Sequence, residues 1–182
     1  MRDGLVIAAA GRRIDAANAE TRGFPLHRVE PTRARIRETL IHRRATALVS
    51  SAACGADLVA LLEAGSLQLR RRVVLPFDRE RFKTTSVLDR PGDWVTIFDT
   101  VIDQIDAAGE LIVLGESDGD AAYAATNDAI LDEAERLALA AGAPAAALLV
   151  WEGHSRPGND LTEQFRASAA RRHFEIWQVL TL

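Results

Sequence analysis

The chain has 182 residues, 48% of them hydrophobic and 26% charged, with a formal net charge of −4. That length suits a single α/β domain over 1–182, whole or cut from a longer protein. The acidic balance argues against broad attraction to nucleic acid or anionic membrane, no apolar run approaches a bilayer span, and the opening is too short for a signal peptide.

The first apolar run, 5–10, is continuous rather than alternating, as in a buried parallel strand. It ends at GRRID (11–15), and a long polar connection carries on through Phe24 and Pro25. Loops of that length in a compact domain are often functional. A helix opens near Pro31, with Ile36, Leu40 and Ile41 on one face and arginines on the other. The second strand stops at Ser50 and Ser51. Small residues lead through Cys54-Gly55-Ala56-Asp57 into a helix carrying Leu58, Leu61 and Leu62. Such a strand-to-helix corner lies over something close to the backbone, and the unpaired N–H groups of the first helical turn favour an anion there.

The third strand, 72–77, is stopped by Pro76 and followed by a polar segment, 78–86, expected to make about one helical turn. A helix opens at Asp93-Trp94. The fourth strand, 111–114, runs into GESDG at 115–119. The longest helix spans 120–141 and stops at Gly142 and Pro144. A fifth strand (146–151), a loop (152–158) and a last helix (161–171) precede an alternating segment, 174–180, that suits an edge strand. This pattern implies a Rossmann-like α/β fold. Its mostly parallel sheet of about six strands carries helices on both faces, in the expected order 3-2-1-4-5 with the last strand beyond the fifth. Ligands of such sheets sit at the carboxyl edge, at the switch point expected between the first and fourth strands.

Collecting the residues that follow each strand gathers glycines and arginines on that edge. They are Gly11, Arg12, Arg13 and Asp15 after the first, and Ser51, Cys54, Gly55, Ala56 and Asp57 after the second. Phe77 follows the third, Glu116 the fourth, and Gly153, Pro157, Gly158 and Thr162 the fifth, with Asn127 on the long helix. Guanidinium forks and glycine backbones suit phosphate. No G-x-G-x-x-G follows the first strand, and Asn159-Asp160 stands where a P-loop has Lys-Ser/Thr, which disfavours a dinucleotide dehydrogenase and an ATPase. Cys54 reads either as a thiolate nucleophile near a helix start or as an inert residue filling a tight turn. Trp151 could line a base pocket or simply pack. The one cysteine excludes a disulfide framework and points to a reducing, cytoplasmic compartment. The histidines show no ligand spacing, so neither metal nor cofactor is expected.

At GRRID (11–15), Phe24-Pro25, ACGAD (53–57), VLPF (74–77) and Phe82 to Val87 the chain resembles a bacterial group within the SLOG superfamily, relatives of the LOG proteins and of DNA-processing protein A. The resemblance implies a Rossmann-like domain that senses nucleotides, ADP-ribose-like derivatives or cyclic oligonucleotides. It accompanies effector modules in signalling and defence proteins. LOG-branch enzymes, which release a base from a nucleoside monophosphate, carry Pro-Gly-Gly-x-Gly-Thr-x-x-Glu. Here that stretch is PGNDLTEQF (157–165): Pro157, Gly158 and Thr162 match, and Phe165 replaces the glutamate. Phenylalanine handles no proton, so binding without turnover is the expected function. The alternatives are a phosphoribohydrolase depending on Arg13 or Glu116, and an oligomerising module with a vestigial pocket assembled through 174–180. The expected partners are a nucleotide-like small molecule, a second copy or a fused effector, with no membrane and no nucleic-acid polymer.

Overall fold

All six apolar runs enter one sheet in the computed structural model, which describes residues 4–182. The strands are β1 (Leu5–Gly11), β2 (Ala45–Ser50), β3 (Arg70–Leu75), β4 (Leu111–Val113), β5 (Ala145–Trp151) and β6 (Glu175–Leu180). The helices are α1 (Val29–His42), α2 (Ala56–Ser66), α3 (Arg79–Ser86), α4 (Trp94–Ala107), α5 (Asp120–Ala141) and α6 (Leu161–Arg171). Every neighbouring strand pair is parallel, so the chain has a Rossmann-like α/β fold. The strand period of two divides the core. Ile7, Leu48, Val73 and Leu148 pack towards α1, α2 and α4, while Val6, Val49, Val74 and Leu149 pack towards α5 and α6. No helix is long and apolar enough to cross a membrane.

The strand order is β4-β3-β2-β1-β5-β6, which corrects the expected one. β4 does not lie beside β1; it continues outward from β3, with Val73 opposite Leu111 and Leu75 opposite Val113. The reason is local. β4 has three residues, none fully buried, and a strand that short and open fits an edge rather than the centre. α4 therefore makes a short step to the neighbouring position, and the 22-residue α5 carries the chain back across the other face to β5. The switch point accordingly moves to the gap between β1 and β5. The segment after β3 also exceeds its expected single turn. α3 runs for eight residues because Asp78 caps it, accepting from the Arg81 N–H at 3.1 Å, and Phe82 anchors it in the core. β6 is an edge strand, and Gly142 ends α5 in the left-handed conformation.

The Cys-Gly-Ala-Asp corner has a backbone partner of its own. Gly55 forms an isolated bridge with Arg13; the Ile14 N–H donates to the Cys54 carbonyl at 3.2 Å, and the Ala56 N–H to the Arg12 carbonyl at 3.0 Å. Gly55 has φ +109°, and a Cβ there would lie 2.7 Å from the Ile14 nitrogen and 2.8 Å from the Arg12 oxygen. What lies close to this glycine is the exit of β1. Gly55→Ala should therefore cost on the order of 3 kcal/mol of stability, read as a lower urea midpoint at unchanged slope. A glycine needed only for ligand approach would leave the midpoint where it is.

Candidate functional site

The turns after β1 and β2, the end of α3, the first half of α5 and the loop into α6 enclose a cavity of about 530 Å³ at the carboxyl edge of the sheet. That volume is within the usual range for a small-molecule site.

Its α6 wall is built around Arg12. The side chain is only 7% exposed, and four of the five N–H groups that a guanidinium carries donate within the chain. Nε donates to Glu152 Oε2 at 2.6 Å, Nη1 and Nη2 to the two oxygens of Asp160 at 2.5 and 2.9 Å, and Nη2 also to the His154 carbonyl. Asp160 is the N-cap of α6, and it also accepts the backbone N–H groups of Arg156, Thr162 and Glu163. Burial would raise the Asp160 carboxyl, but the hydrogen bonds from Arg12 and from these amides outweigh it and hold it at about 2. The first turn of α6 is thus satisfied by a resident carboxylate.

Asp15 organises the next stretch of wall. Its carboxylate accepts the Gly23 and Phe24 N–H groups at 3.0 Å, and its own N–H donates to the Phe24 carbonyl. The polar connection from 16 to 22 is closed into a loop by these bonds, with Ala16, Ala19 and Thr21 on the cavity. Phe24, fully buried, plugs the loop into the core.

The opposite wall carries Arg13 and Arg90, which share Asp89: Arg13 pairs with one carboxylate oxygen, and Arg90 Nε lies 3.5 Å from the other. Arg156 reaches the cavity from the β5 loop, where its Nε donates to Glu152 Oε1 at 2.6 Å. Each of these three guanidiniums has a buried nitrogen with no hydrogen-bond partner among the described residues: Arg13 Nε, Arg90 Nε and Arg156 Nη2. A buried donor left unpaired costs roughly 1–3 kcal/mol. A hydroxyl cluster lines the same cavity. Tyr123 Oη lies 3.0 Å from Ser86 Oγ and 3.2 Å from Thr85 Oγ1. Asp57, in the first turn of α2, contributes a buried carboxyl that accepts the Ala53 N–H at 3.2 Å. Burial raises it to about 7 against the pull of that amide and of Arg13.

Of the residues singled out from the sequence, Gly11, Arg12, Arg13, Asp15, Ser51, Asp57, Asn127, Pro157 and Thr162 line this one cavity. Arg12, Asp15 and Asn127 are already committed within the chain; the Asn127 amide donates to the Leu161 carbonyl at 2.9 Å. Cys54, Gly55, Ala56, Phe77, Glu116, Gly153 and Gly158 are not among the lining residues. Cys54 is fully buried, and burial pushes its thiol up. Phe77 packs edge-on against Tyr123. Glu116 follows β4 at the far edge of the sheet and is exposed. Trp151 is buried with its Nε1 donating to Gln178 rather than facing the cavity. Arg90 and Tyr123 carry no motif, and Thr85 and Ser86 lie in the Phe82–Val87 stretch that carries the family resemblance without a site role evident from spacing. Asp160 did carry a signal, since Asp-Leu-Thr-Glu at 160–163 has the spacing of a capping box.

No family model and no curated protein matches this chain. Solved structures do. DNA processing protein A from Streptococcus pneumoniae aligns over 97% of this chain and 58% of its own length, with 13% identity and a TM-score of 0.43. DNA processing protein A from Helicobacter pylori aligns over 95% of this chain and 74% of its own, with 15% identity and a TM-score of 0.40. The likeness is one of fold. This chain spans little more than half of the first of these proteins. The Helicobacter pylori protein is described by its single-stranded DNA binding mode, so the expectation that excluded nucleic-acid polymers as partners is withdrawn. A net charge of −4 describes the whole surface, and it says little about an edge that gathers several arginines.

Two outcomes follow for titration and stability. Asp160→Asn should destabilise the protein by about 3 kcal/mol at neutral pH, because Nη1 and Nη2 of the buried Arg12 lose their charged partner and Glu152 alone is left to balance the guanidinium. The wild type holds its Asp160 pair fully above the unfolded carboxyl value of about 4 and loses it as pH falls towards 2, so acid unfolding curves of the two proteins should converge there. Asp57 has the opposite sign. Its folded value is raised, so its stabilisation is complete below about 4 and is lost as pH rises through about 7. Asp57→Asn should gain on wild type between those values, by an amount on the order of 2–4 kcal/mol in urea titrations.

Proposed function

We propose that this chain binds a phosphorylated, nucleotide-type small molecule in the cavity at the carboxyl edge, and that binding rather than turnover is its task. The observation that carries this reading is the lining itself. Arg13 and Arg90 supply charge for phosphate, Asp57 and the Thr85–Ser86–Tyr123 hydroxyls supply donors and acceptors for a sugar, and Ile14, Phe82 and Ile130 supply apolar surface for a flat base. The location agrees, since open parallel sheets take ligands where the strand order reverses, here between β1 and β5.

A hydrolytic role of the LOG type has less support. Phe165, at the position of the LOG glutamate, is fully buried under the sheet among Ala147, Leu149 and Ala169. Glu163 is turned to Arg166, and Glu116 lies away from the cavity. A signalling or defence role rests on the resemblance described above. It would use the same bound state as its signal.

Thermal unfolding in the presence of AMP, ADP-ribose, cyclic oligonucleotides and a short single-stranded DNA tests the reading. A ligand at a hundred times its Kd stabilises by about 2.7 kcal/mol, which for a chain of this size is a rise of roughly 5–10 °C. We expect such a rise with at least one small nucleotide, and its loss in Arg13→Ala. A rise with the single-stranded DNA alone, or with nothing, would contradict the small-molecule reading.

A further inference from the structure

The ion pairs around the cavity divide into a buried set on one wall and a solvent-exposed set on the other. On the α6 side, Arg12 and Arg156 meet three carboxylates, Glu152, Asp160 and Asp15. On the other side, Arg13 and Arg90 share Asp89 in ion pairs, while Asp57, buried, and Asp120, exposed at the start of α5, line the cavity without an ion pair to either among the described residues. Building on the nucleotide reading above, we propose that the ligand's anionic group docks against Arg13 and Arg90, and that Asp160 closes the α6 end of the cavity to it.

The α6 end has the chemistry of an anion seat: two first-turn N–H groups, a loop N–H and a guanidinium presented with both of its terminal nitrogens. That seat is full. Five donors converge on the two oxygens of Asp160, whose side chain is 4% exposed, so an arriving phosphate would have to displace a buried, ion-paired carboxylate of the same sign. Thr162 and Pro157, which line the cavity beside it, then face the uncharged part of a ligand.

The other wall is open to exchange. Asp89 is 45% exposed, and ion pairs to so wet a carboxylate are weak enough for a ligand anion to replace. Arg13 Nε has no hydrogen-bond partner among the described residues, Arg90 Nε has only the long contact to Asp89 at 3.5 Å, and both side chains line the cavity. Asp57, the other carboxyl near Arg13, is buried, and burial disfavours its charged form; it therefore opposes an anion less than an exposed aspartate would. Asp160 is thus a specificity-determining residue: it forces one orientation on a molecule that a symmetric ring of cations would accept either way round.

Inorganic phosphate and AMP, titrated at constant ionic strength by calorimetry, test both halves. Asp160→Ser keeps a capping oxygen and removes the carboxylate. It should bind inorganic phosphate about tenfold more tightly than wild type through the vacated seat, a gain that persists when Arg13→Ala is added. If Asp160→Ser is unfolded in chloride, phosphate should restore its near-ultraviolet circular dichroism. No gain in the folded variant, or no recovery in the unfolded one, overturns the closing role of Asp160. In wild type, Arg13→Ala and Arg90→Ala should each weaken phosphate and AMP about tenfold, with Arg156→Ala within twofold. A larger loss in Arg156→Ala, or no phosphate binding by wild type at millimolar concentrations, overturns the Arg13–Arg90 assignment. Absence of AMP binding beside intact phosphate binding overturns only the nucleotide reading.

Discussion

Burying the Arg12 guanidinium is the constraint from which the rest of the edge follows. A cation removed from water at the end of β1 must be met by carboxylates, and the chain supplies Glu152 from the end of β5 and Asp160 from the start of α6. Those contacts tie the two strands that flank the switch point. They also pull the 152–160 loop into one shape and leave Asp160 placed to cap α6. The backbone of the same residue does a second job, its carbonyl accepting from Ala56 and so seating the start of α2. One residue thereby fixes two helix starts on opposite faces of the sheet, and the space left between them is the cavity.

This arrangement changes what the glycines and arginines of the edge mean. Read along the chain, Gly55 and Arg12 look like parts of an anion cradle. In space, Gly55 makes room for the backbone of 12–14, and Arg12 serves carboxylates of its own chain. The capacity for anions that survives lies in Arg13 and Arg90, since Arg156 is held by Glu152 and lies 4.0 Å from Asp15. Whether phosphate is gripped therefore depends on side chains that hold few internal partners, and less on the helix starts. Helix termini attract anions generally, but a terminus already capped by a carboxylate has lost most of that attraction.

The fold was legible because the cues were physical and local. Continuous apolar runs gave buried strands, proline and glycine marked the ends, and α5 stops where Gly142 turns left-handed. The order of strands was not legible. Nothing in residues 111–114 announces an edge except brevity, and the choice between a neighbour of β1 and a neighbour of β3 is settled by how far α4 and α5 each reach. At the site, residues adjoining strand ends were found, whereas Arg90, Tyr123, Thr85 and Ser86 arrive from α3, α5 and a loop beyond. Their convergence is tertiary and leaves no spacing in the sequence. The reverse error, giving Glu116 a place on the rim, followed from the misplaced β4.

Ligand binding at this edge turns on an anion meeting Arg13 and Arg90 while Arg12 stays locked. Side-chain NMR of the protein labelled with ¹⁵N-arginine reports on that directly, because each Nε–H resonance senses its own acceptor. On titration with AMP the Arg13 and Arg90 Nε–H signals should shift together and saturably, with the Arg12 signal unmoved at its Glu152 partner. Unchanged Arg13 and Arg90 signals beside a saturable shift of Arg12 would mean that the ligand sits at α6 and would contradict this assignment.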